Sequence, residues 1–174
     1  MSKGEKMVLT KIMESARTKL LIAAIIIAVI VVMSACGSTG NGTGNMGSDG
    51  QKTKIQVFKS QSCGCCAIYA SYAQKEKWMD VEVSQVADVS PIKEKYGVPS
   101  SLQSCHTSVV DGYFVEGHVP AEAISKLVAE KPAIKGIALP GMPSGSPGMP
   151  GGKTGDFVVY AVGNDGNVEE FMRI

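Results

Sequence analysis

The sequence predicts an α/β domain, and three observations carry that prediction. Short β-like apolar runs alternate with helical stretches from Thr53 onward, and an Asp-Gly pair separates two of the runs. The composition, 44% apolar and 19% charged, also suits a packed core. A chain of 174 residues holds one ordinary domain and is short for two. The same composition excludes collagen, general disorder and a polytopic membrane protein. With a formal charge of +1 there is no basic excess for a polyanion to neutralise, so no nucleic-acid partner is expected.

The elements follow in order. Ile55-Gln56-Val57-Phe58 has its apolar residues at a mostly period-2 spacing and reads as the first strand. From Cys65 to about Trp78, residues Ile68, Tyr69, Tyr72, Ala73 and Glu76 recur at helical spacing after a tight cysteine-rich turn. Val81, Val83 and Val86 suggest a second strand. Pro91 to Tyr96 reads as a short helix, with Pro near its first position and Gly97 just past its end. Thr107–Val110 and Tyr113–Glu116 flank Asp111-Gly112, which supplies the positive φ angles of a two-residue hairpin turn. Pro120 opens a helix carrying Ile124, Leu127 and Val128, and Pro132 ends it. A second hairpin is expected from Phe157–Val162 and Val168–Met172, and the Gly141–Gly152 stretch before it is too rich in Pro and Gly for helix or strand. Strand, helix, strand, helix, hairpin, helix is the order of a thioredoxin-like sheet with flanking helices, here with an extra C-terminal β-hairpin.

Residues 1–36 read as a signal peptide or membrane anchor and not as part of the fold. Lys3, Lys6, Lys11, Arg17 and Lys19 precede an uncharged apolar run from Leu20 to Ala35. That run is shorter than the roughly 20 residues of a comfortable bilayer crossing, and it fits a signal-peptide core of about 7 to 15 residues plus a small-residue cleavage site. Met33-Ser34-Ala35-Cys36-Gly37 resembles a bacterial lipobox in which Cys36 would be lipidated, although Met33 departs from the usual Leu. Lipoprotein and uncleaved anchor both place the domain outside the cytoplasmic membrane, in the periplasm or at the outer cell surface, because the basic residues mark the cytoplasmic flank. Residues 37–52 are a Gly/Ser/Asn-rich flexible linker, Met46 included, and 53–174 form the domain.

Four cysteines remain for that domain: Cys63, Cys65, Cys66 and Cys105. The first three lie in C-x-C-C on the turn between the first strand and the first helix, where the positive end of the helix favours thiolates. A dithiol redox pair needs two sulfurs, so Cys65 is surplus and becomes a competitor or a ligand. Three thiolates on one turn make a soft pocket, and soft thiolates select Cu(I), zinc and iron–sulfur clusters. Cys105 immediately precedes the first hairpin, where a thioredoxin-like fold brings a loop against the cysteine turn. A four-sulfur metal site is therefore expected, with His106 beside it. Two alternatives stand next to it: stabilising disulfides in an exported domain, and a catalytic dithiol of Cys63 and Cys66. A structural zinc site fits four cysteines but not the C-x-C-C spacing. His118 reads either as a helix-entry residue or as a ligand. Met142 and Met149, flanking the Pro/Gly loop, carry thioethers suited to Cu(I) or to ordinary gap filling.

V-F-K-S-Q-S-C-G-C-C, Y-G-V-P, S-C-H-T, V-D-G-Y-F-V-E-G-H-V-P and L-P-G-M-P-S-G-S-P-G-M occur in that order. Together they resemble the CopG-type copper-resistance family, a CxCC thioredoxin-like family, over about residues 54–172. The resemblance implies an extracytoplasmic protein holding copper as Cu(I) in a thiolate-bridged, multinuclear cluster. Cys63, Cys65, Cys66 and Cys105 then carry over as metal ligands, with His106, His118, Met142 and Met149 as weaker candidates nearby. It further implies copper redox chemistry and a copper exporter or periplasmic copper carrier as partner. The N-terminal membrane segment departs from a simple secreted form.

Overall fold

The computed structural model describes residues 52–174. Residues 1–36 with the lipobox-like Cys36, and the linker as far as residue 51, lie outside the described residues. Among the described residues no helix is long and apolar enough to cross a membrane.

Seven strands form one mixed sheet: β1 (Thr53–Ser60), β2 (Met79–Val86), β3 (His106–Val110), β4 (Tyr113–Gly117), β5 (Ile134–Leu139), β6 (Val158–Gly163) and β7 (Val168–Arg173). Their spatial order is β2-β1-β3-β4-β5-β6-β7. Helix α1 (Gly64–Lys75) connects the parallel pair β1 and β2, and α3 (Ala121–Glu130) connects the parallel pair β4 and β5. Between them, α2 (Ser90–Tyr96) and a 3-10 turn at Ser100–Leu102 lead into β3. The remaining neighbours pair antiparallel.

The two turn residues behave as their chemistry requires. Asp111 and Gly112 take φ of 47° and 86°, the doubly positive geometry of the tight β3–β4 turn. Gly97 closes α2 in the left-handed region at φ 68°. Helix α1 ends at Lys75, three residues before the expected boundary near Trp78. Its last carbonyls need not continue the ladder there, because the Glu76 N–H already turns back to Ala73.

Apolar residues on both faces of the central strands are buried, as a sheet covered on two sides demands. One core gathers Ile55, Val57, Val115, Ile124, Leu127 and Ile137 with Phe157 and Val159. The other gathers Val98, Leu102, Phe114, Ala138 and Val162 on the opposite side of β4. Burying Ile124 and Leu127 of α3 contributes about 1.5–3 kcal/mol each.

Strand β5 is absent from the sequence-based expectation, which passes from Pro132 to the Pro/Gly loop. Gly136 in its middle weakens the strand pattern, and the structure explains that glycine. A Cβ at Gly136 would lie 2.5 Å from the ring of Phe114 and collide with its carbonyl oxygen. The large ring on β4 thus requires the missing side chain on β5. Gly136→Ala should lower the unfolding free energy by about 2 kcal/mol, the usual cost of overpacking. Urea denaturation checks this, and an unchanged midpoint would refute the packing account.

Candidate metal centre

Strand register brings the sequence-remote cysteines together. Lys59, next to the end of β1, pairs with His106, the first residue of β3. The chain leaves β1 at Ser60, turns, and enters α1 with Cys63 as the N-cap. Cys105 immediately precedes β3, so the same register delivers it to this turn. The sulfurs of Cys63, Cys65, Cys66 and Cys105 all lie within 4.8 Å of one another.

Cys63 and Cys66 are joined in a disulfide, while Cys65 and Cys105 are free. The Cys63 Sγ also accepts the Cys66 backbone N–H at 3.3 Å, satisfying one of the orphan donors at the helix start. Cys65 Sγ stands 3.5 Å from Cys63 Sγ. Cys66 is buried, and the other three cysteines are partly exposed.

Both histidines join the group from the sheet side. Cys105 Sγ is 3.1 Å from His118 Nε2 and 3.4 Å from His106 Nδ1. His118 Nδ1 donates to the carbonyl of Pro147 at 2.6 Å. A carbonyl only accepts, so Nδ1 carries the proton and Nε2 of the neutral ring offers its lone pair toward Cys105. The Pro/Gly loop therefore orients a histidine, in the way outer partners orient metal ligands. It reaches the site through Gly148, where a Cβ would lie 2.8 Å from the Tyr69 nitrogen and 3.0 Å from the Cys65 carbonyl oxygen.

The remaining predicted thioethers belong to that loop. Met142 is 40% exposed, and Met149 follows Gly148 and donates its N–H to Ser146.

Two features escape the sequence reading. Tyr69, read only as part of a helix face, is buried with its ring 4.4 Å from His106 and 5.4 Å from His118, and its hydroxyl donates to the Val119 carbonyl. Lys93 and Glu116 form a buried ion pair behind the site. A charged residue closing the apolar run Tyr113-Phe114-Val115 is the signal that could have marked Glu116.

Electrostatics at the centre favour neutral groups. Burial, and then the neighbouring Cys65, pushes the Cys105 thiol up to about 11. Burial, helped by His118 and then by Lys93 and Lys59, pulls His106 down to about 3. His118 is also lowered by burial, against its bond to Pro147. Burial raises Glu116, opposed first by its hydrogen bond from Lys93. With the Cys63–Cys66 bond reduced, the donors fit a soft metal ion: four sulfurs within reach of one ion or a small cluster, and two neutral imidazoles. Nε2 of His106 is buried without a hydrogen-bond partner, which leaves a nitrogen lone pair or N–H unassigned.

Comparison with known proteins relates the chain to a copper-resistance protein. Residues 102–149 match the family model described as protein of unknown function, DUF411. Two solved structures of copper resistance protein CopG are similar at 38% identity. Form 1 superposes with a TM-score of 0.65, the match covering 71% of this chain and 98% of that one. Form 2 gives a TM-score of 0.66, with 71% and 99% covered. No curated protein matches.

Neutral His106 makes the metal-free protein acid-sensitive. In the unfolded chain the ring takes a proton below its ordinary value of 6.5, whereas in the native state it stays neutral down to about 3. Between those values the unfolded state binds more protons, so stability falls as pH drops through that window. The urea midpoint of the metal-free protein should decrease from about pH 7 to about pH 5, and His106→Asn should flatten the dependence. Parallel pH profiles for the two proteins would contradict this.

Proposed function

The chain belongs to the CopG family of copper-resistance proteins, and from that premise we propose that it binds copper as Cu(I) through the thiolates of Cys63, Cys65, Cys66 and Cys105, outside the cytoplasmic membrane. The observation that carries this reading is the convergence of four sulfurs from two distant segments within 4.8 Å. Thiolates are soft donors and select Cu(I) over harder ions, and a bridging thiolate can serve two ions, so a compact quartet accommodates a multinuclear cluster. The basic flank and apolar run of residues 1–36 support membrane attachment with the domain outside the cytoplasm. A membrane copper exporter or a periplasmic copper carrier is then the partner within reach.

The Cys63–Cys66 disulfide adds redox character to copper binding. With the bond closed, two of the four sulfurs are unavailable as thiolates, and full loading needs the reduced form. The pair can also reduce copper. Two thiolates give up one electron each to two cupric ions, and the products are one disulfide and two cuprous ions. Cys65 and Cys105 remain to hold the Cu(I) formed, with His118 Nε2 next to Cys105.

One specific observation favours a second reading, a thioredoxin-type thiol–disulfide oxidoreductase. Cys63 and Cys66 are bonded across C-x-x-C spacing at the N-terminus of α1, where a thiolate is stabilised by the helix. The surplus Cys65 and the tight approach of Cys105 have no part in such a mechanism.

Cys65→Ser separates the two. For copper binding it should weaken Cu(I) affinity of the reduced protein by more than about a hundredfold, beyond the loss expected from an outer partner alone. Competition with a colourimetric Cu(I) chelator measures this. Proton release on loading should accompany wild-type binding, because each thiol must ionise. Wild-type affinity in Cys65→Ser, together with metal-free insulin reduction that Cys66→Ser abolishes, would establish the oxidoreductase instead.

A further inference from the structure

The buried Lys93–Glu116 pair is placed where it acts on Cys105. Glu116 Oε1 accepts the backbone N–H of Ser104 at 2.5 Å, and Oε2 accepts the Thr107 hydroxyl at 2.7 Å. Lys93 donates to Glu116 and, at 3.1 Å, to Thr107 Oγ1. Ser104 and Thr107 bracket Cys105-His106, so both ends of the ligand-bearing segment are tied to one carboxylate. The next residue of β4 adds a steric constraint. A Cβ at Gly117 would lie 2.9 Å from Cβ and Oγ of Ser104 and 2.6 Å from the Leu139 carbonyl oxygen. His118 then touches the Cys105 sulfur itself. Three consecutive residues, Glu116-Gly117-His118, thus fix the backbone before Cys105, the space beside it, and its sulfur.

Energetics argue that the charges serve placement more than stability. Removing two charges from water costs several kcal/mol per ion, and an apolar pair of similar volume often stabilises a fold as well. Glu116 is fully buried and Lys93 nearly so, which makes that cost close to complete here. What an apolar pair cannot do is accept the Ser104 N–H and the Thr107 hydroxyl at defined angles.

We propose that Lys93 and Glu116 are positioning residues for copper binding, holding the 104–107 segment so that the Cys105 sulfur faces the cysteine turn. This rests on Cys105 being a copper ligand.

The test uses the full chain carrying Lys93→Met and Glu116→Leu together. In a background with Cys36, Cys63, Cys65 and Cys66 replaced by Ser, Cys105 is the sole thiol, and its alkylation by iodoacetamide is followed without metal. The double variant removes three hydrogen bonds to the 104–107 segment, so it should melt below the wild type, because two buried donors lose their acceptor, and alkylate at least about tenfold faster, the factor of a single lost hydrogen bond of ordinary strength. With the native cysteines restored, its thiolate-to-copper absorption band should shift and its Cu(I) affinity should fall. Thr107→Val removes one hydroxyl and little volume, and it should accelerate alkylation by a smaller factor even if the double variant fails to fold. An unchanged alkylation rate in the variants that fold would overturn the proposal. Faster alkylation with wild-type Cu(I) binding would support the placement role and overturn the copper role of Cys105.

Discussion

One pairing governs the chemistry of this protein: the antiparallel register that sets Lys59 opposite His106. Shift it by one residue and every side chain on β3 changes face. His106 would then leave Tyr69 and His118, and Thr107 would leave Glu116. The sheet is therefore an instrument of placement. It brings the end of β1, the start of β3 and the end of β4 to one edge of the fold, and each delivers a different kind of group: a cysteine turn, a cysteine–histidine pair, and a histidine behind a carboxylate.

Around that edge the site is held in layers. A helix terminus faces the sulfurs, the Pro147 carbonyl and the Tyr69 ring hold the imidazoles, and a satisfied ion pair braces the strand segment. Burial pulls both histidines down and pushes Cys105 up, so the metal-free centre keeps these groups uncharged. A metal ion bound at Cys105 would have to displace the thiol proton, with the buried Lys59 and Lys93 as the cationic charges nearest His106. The disulfide adds a second constraint, because while it is closed the N-cap Cys63 and Cys66 are not available as thiolates.

Much of this was legible in the sequence. The Asp-Gly turn, the C-x-C-C turn before a helix, the proline-opened α3 and the C-terminal hairpin are local signals, and each lies where its chemistry placed it. The approach of Cys105 to the other cysteines was legible only through the order of the elements. Strand β5 was hidden because Gly136 answers a ring on another strand, information no local window contains. Lys93 and Glu116 were hidden for the same reason: either one alone reads as a solvated charge, and only the fold shows that they meet. Tyr69 has the spacing of a core residue, and nothing in its own segment marks the histidines around it.

Among the described residues the sheet does not close on itself, and β2 and β7 each leave a row of backbone donors and acceptors without a strand partner. Such margins invite a second molecule to add on and grow into a fibril. Both are guarded by carboxylates, Asp80 and Glu82 on β2 and Glu169 on β7, where Glu170 pairs with Arg173. Like charges meeting edge to edge repel, which keeps neighbouring copies apart.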